Sequence, residues 1–143
     1  MKLEVRHNLE ALKPPKDAHV KVGVLNGDQK PYQGQDVTLG VLSHILHDGT
    51  GTAPARPFLR AALARPEMAA TLTKIATQVA QGKMTQARGL ALLGEYARGL
   101  VIRRIVERDY APNAPSTIAA KGSDTPLVDE GILKGSITYK VEQ

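Results

Sequence analysis

Residues 84 to 108 are the longest periodic run in this 143-residue chain, and they read as one helix with Leu90, Leu93, Ala97, Leu100 and Val101 on its cleanest apolar face. Such a stripe has to be covered by other elements, so the rest of the chain reads as what packs around it. Gly89, Gly94 and Gly99 interrupt the run, each weakening a helix by roughly 1 kcal/mol relative to alanine. Together they point to close backbone approach by a neighbour, although the five-residue spacing puts them on different sides. Arg104 and Arg108 continue the stripe into charge, which predicts that the helix leaves the core there.

Strands are expected near both ends. Val20, Val22 and Val24 alternate with His19, Lys21 and Gly23, the period of a strand with one buried face, and Asn26-Gly27-Asp28 stops it with turn chemistry. Residues 2–6 read as another short strand, followed by a helical piece around Asn8 to Leu12 that Pro14-Pro15 closes. Ile137, Tyr139 and Val141 alternate with polar residues in a last strand over 136–141. Between the ends, residues 28–36 form a polar loop and Asp36 is placed to cap a helix over 37–47. Val37, Val41, His44 and Ile45 favour that helix, while Val37, Leu39 and Val41 would equally suit a strand. Pro57 suits the first position of a helix over 57–64, and Pro66 that of the next. This second helix carries Met68, Leu72, Ile75, Ala76 and Val79 as an amphipathic stripe and ends at Gly82. From Tyr110 to Glu130 no period appears, and the segment reads as a long projecting loop. The expected architecture is α+β: a small, mostly antiparallel sheet from both chain ends, packed against three or four central helices, in one domain over residues 1–143. The alternation leaves the sheet order open.

Composition narrows the chemistry. Cysteine is absent, which removes disulfides, thiolate nucleophiles and cysteine-ligated metal sites. With one Phe, four Tyr and no Trp, stacking on nucleobases has few candidates. The balance of 19 Lys plus Arg against 14 Asp plus Glu gives +5, but the positive charges are scattered, which disfavours a basic nucleic-acid-binding arm. No stretch of about 18 apolar residues occurs, so no membrane partner is expected.

The best catalytic candidate is the run Ser43 to Asp48. In a helix, His44 and His47 lie three residues apart and could share a face with Asp48, a set that could contribute to a divalent-metal site in a hydrolase. It lacks further ligands beyond the distant His7 and His19, and a polar helix end is the simpler reading. A Ser–His–Asp relay through Ser43 or Ser136 has no nucleophile elbow around it. Gly49 and Gly51 lack the third glycine of a dinucleotide fingerprint and read as a turn. Asp129 and Glu130 read as solvated charge. Arg88, Arg98, Arg103, Arg104 and Arg108 spread around much of the long helix and suit salt bridges better than a phosphate track. Neither a catalytic centre nor a cofactor is expected, and a basic nucleic-acid-binding regulator is the main rival to a structural role.

Two segments carry a family resemblance. One is A-P-A-R-P-F-L-R-A-A at 53–62, after the Gly49-Thr50 turn; the other is A-P-N-A-P-S-T-I-A-A-K-G-S-D-T-P-L-V-D-E-G-I-L-K-G-S-I-T-Y-K-V at 111–141. With the early V-K-V-G-V-L strand, in the same order along the chain, they resemble the tail-completion or neck proteins of long-tailed bacteriophages. The chain departs from that pattern at His47, where a Glu is usual, and at Glu130, where a Thr is usual. The resemblance implies a non-enzymatic virion protein, assembled in the host bacterial cytoplasm into a ring at the head–tail junction. A hexamer or dodecamer is the implied ring, contacting connector or head-closure and tail tube or terminator proteins, with DNA only as the passing genome. The structural residues it singles out are Gly49 and Thr50 in the turn, Pro57 starting a helix, Phe58 anchored in the core, and Arg56 and Arg60 flanking it. Asp129 and Gly131 would shape the turn into the last strand, Leu127 and Leu133 would pin its ends, and Lys121 would find its partner in the assembly.

Overall fold

A computed structural model of the chain describes residues 18–25, 37–51, 54–107 and 132–142. In order they form β1 (His19–Val24), α1 (Leu39–Asp48), α2 (Phe58–Leu63), α3 (Pro66–Ala80), α4 (Gln86–Val106), α5 (Ile132–Ser136) and β2 (Ile137–Glu142). The fold is α+β, with one two-stranded antiparallel sheet packed against the central helices. The expected strand over 2–6, the helical piece at Asn8 to Leu12, the polar loop at 28–36 and the projecting loop at 110–130 lie outside the described residues.

Register follows from the alternation. Val20 pairs with Val141, Val22 with Tyr139 and Val24 with Ile137. Residues two apart share a face of the sheet, and this is the face turned to the helices. The other face carries His19 opposite Glu142 and Lys21 opposite Lys140. Two lysines directly opposed repel, and Glu142 offsets this. Its carboxylate lies 2.8 Å from Lys21 Nζ, 3.2 Å from Lys140 Nζ and 2.9 Å from His19 Nε2. Hydrogen bonds from Lys21 and then Lys140 pull the Glu142 carboxyl down to about 2. A carboxyl lowered by folding stabilises the fold above its unfolded value and loses that contribution as acid reaches the folded one. Acid should therefore erode this contribution between about pH 5 and pH 2. In Glu142→Gln the midpoint of thermal unfolding should fall less steeply than in the wild type across that window; parallel curves would rule the linkage out.

The helix boundaries have local causes. α1 is capped by Thr38, whose hydroxyl accepts from the Val41 N–H at 3.3 Å, so the expected cap at Asp36 lies too early in the chain. It stops at Gly49, whose φ of 76° is open to glycine and whose N–H returns to the Ile45 carbonyl at 2.8 Å. Pro57 stands just before α2 rather than within it, its carbonyl taking the Ala61 N–H at 2.8 Å. Pro66 does open α3, and the chain turns after it at Gly82 with φ 69°. Thr85 caps α4 by accepting from the Arg88 N–H at 3.3 Å, which starts the long helix two residues later than its periodicity implies.

The core gathers on α4. Leu100, Val101 and Ile105 pack with Phe58 and Ala62 of α2, Leu133 of α5 and Ile137 of β2. Ile105 is fully buried, so the helix stays in the core through its last turn and the predicted exit at Arg104 does not occur. The three glycines separate by neighbour. A Cβ on Gly89 would meet Ile75 Cγ2 at 3.0 Å and Val79 Cγ2 at 3.1 Å, on α3. One on Gly94 would strike the ring of Tyr139 on β2. Two neighbours on different sides account for the five-residue spacing. Gly99 is exposed and faces open space. Gly99→Ala should therefore gain up to about 1 kcal/mol of helix propensity, read as a higher midpoint in urea. An unchanged or lower midpoint would show a constraint at this site that the packing does not contain.

Candidate functional site

The described part of the A-P-A-R-P-F-L-R segment, P-A-R-P-F-L-R at 54–60, turns the chain back against the end of α1. The Arg56 N–H donates to the Leu46 carbonyl at 3.0 Å, and the Phe58 N–H donates to the Arg56 carbonyl at 2.7 Å. This corner puts Phe58 into the core with 0% of its surface exposed. Arg56 beside it is 8% exposed, and burial holds its guanidinium below the usual arginine value. Pro57 is half-buried, while Thr50 and Arg60 are exposed.

His47 joins the two sides of the corner. Its ring stands edge-on to Phe58, with centroids 5.3 Å apart and planes at 83°. The Arg60 backbone N–H donates to His47 Nε2 at 3.4 Å, and the Asp48 carboxylate lies 2.7 Å from Nδ1. A backbone N–H only donates, so Nε2 supplies a lone pair and Nδ1 carries the proton given to Asp48. His44 Nδ1 approaches the other Asp48 oxygen at 3.2 Å. The hydrogen bond from His47, helped by both imidazoles and by Arg60, holds the Asp48 carboxyl below the ordinary carboxylate range. His44, His47 and Asp48 thus meet in space: both ring nitrogens of His47 are engaged, by Asp48 and by the Arg60 N–H, while His44 meets Asp48 through Nδ1 and stays exposed. Among the described residues no group of three His, Asp or Glu could hold a metal ion. The hydroxyls of Ser43 and Ser136 donate to carbonyls of their own helices, at Gly40 and Ile132.

Two arginines of α4, Arg98 and Arg104, are also tied within the chain. Arg98 Nε donates to the Ile137 carbonyl at 2.9 Å and Arg98 also pairs with Glu95 at 3.1 Å, joining the helix to β2. Arg104 donates to Glu107 at 2.8 Å, and Arg65, between α2 and α3, reaches both oxygens of the same carboxylate, one at 2.6 Å. Arg65 and then Arg104 hold the Glu107 carboxyl below its ordinary value. Arg88 and Arg103 are exposed.

Leu133, expected to pin one end of the turn into the last strand, is buried on α5, the short helix that leads into β2. Lys121, Leu127, Asp129 and Gly131, and Arg108, fall outside the described residues.

A different surface stands out by what it leaves uncovered. α3 contributes no buried residue, and Leu72 in the middle of its stripe is 49% exposed. Leu92 on α4 is 42% exposed. Glu67 and Lys74 are the charged residues of α3. Thr73 and Thr77 donate their hydroxyls to the Ala69 and Thr73 carbonyls at 3.0 and 2.8 Å, so their polar atoms are already satisfied within the helix. Covering such a surface removes apolar area from water at little polar desolvation cost. Among the described residues no helix is long and apolar enough to cross a membrane.

No family model, curated protein or solved structure matches this chain.

Proposed function

We propose that this chain is a structural virion protein of a tailed bacteriophage, a ring subunit at the head–tail junction that completes the tail and joins it to the connector. The observation that carries the reading is on α3: Met68, Ile75 and Val79 of its stripe are partly buried against the rest of the fold, while Leu72, 49% exposed, and Ala76 are left as apolar positions that assembly would cover. The resemblance of residues 53–62 and 111–141 to tail-completion proteins supplies the kind of assembly, and the corner built by Arg56, Pro57 and Phe58 gives the first of these segments a structural role.

The test is the state of the purified protein by light scattering and electron microscopy, with Leu72→Glu beside the wild type. Rings are expected for the wild type. A charge in the middle of the interface should shift the variant to monomer while its thermal unfolding stays within a few degrees, because Leu72 is half in water already. A wild type that stays monomeric at all concentrations and binds duplex DNA with steep salt dependence would overturn this reading in favour of a nucleic-acid-binding regulator.

A further inference from the structure

We draw no further inference here: the strongest candidate, the half-exposed apolar face of α3 around Leu72, already serves the proposed assembly, and nothing in the structure shows which molecule covers it.

Discussion

Phe58→Ala is expected to lower the free energy of unfolding by about 3–5 kcal/mol. The ring is fully buried and belongs to a cluster drawn from α2, α4, α5 and β2, so its removal opens a hole where four elements meet. The surrounding groups have little freedom to collapse into it. Leu100, Val101 and Ile105 are fixed on one helix, and the backbone of the Phe58 corner is held by hydrogen bonds to Leu46 and from Phe58 to Arg56. His47 would also lose the ring edge it packs against. Folds of this size are stable by only about 5–15 kcal/mol, so the variant should show a large drop in its urea midpoint. Phe58→Leu keeps most of the volume and should cost much less, within about 1.5 kcal/mol if the neighbours repack. A change below about 1 kcal/mol for the alanine variant would mean that the ring is not in the core.

Gly94→Ala should destabilise the fold by about 1–3 kcal/mol, although alanine is the better helix former. The added methyl would lie 2.8 Å from Tyr139 Cγ and Cε2, inside van der Waals contact, and closer still to Cδ2. Tyr139 has no simple way to yield. It sits in the middle of β2, paired with Val22, and Arg98 of the same helix holds β2 through the Ile137 carbonyl. The methyl must therefore push the helix off the sheet or turn the ring from its preferred rotamer. Repeating the substitution in a Tyr139→Leu background separates the effects: without the ring, the alanine penalty should shrink towards zero or reverse. Equal penalties in both backgrounds would place the cause elsewhere than this contact.

Much of the framework is legible in the residues. The alternating valines place β1, and the prolines and glycines bracket α2 and α3. The doubt between helix and strand after residue 36 is settled by Thr38, whose hydroxyl caps a helix and has no such use in a strand. α5 is hidden because five residues containing Gly135 are too short to show a helical period. Ile105 continues the stripe of Val101 by four residues, a signal that the flanking arginines mask; Arg103 is exposed, whereas Arg104 is largely buried in its pair with Glu107. The corner is less legible. Its motif marks Phe58 for burial, but the bond between His47 and the Arg60 backbone depends on how the chain doubles back between them. The seat of Tyr139 over Gly94 likewise joins elements far apart in sequence.

The pairing of His19 with Glu142 also sets the order in which such a chain can close. The helices α2, α3 and α4 are near neighbours in sequence and can gather through short loops, whereas the two strands are more than a hundred residues apart. Bringing together the ends of so long a loop costs on the order of 4 kcal/mol of chain entropy, and contacts of that span slow folding. On a ribosome adding roughly 5–20 residues per second, Leu100 and Ile105 emerge seconds before Ile137, the fully buried side chain that the sheet adds to their cluster. During that interval the nascent helices present a sticky apolar surface. Closure of the ribbon is the late step that hides it.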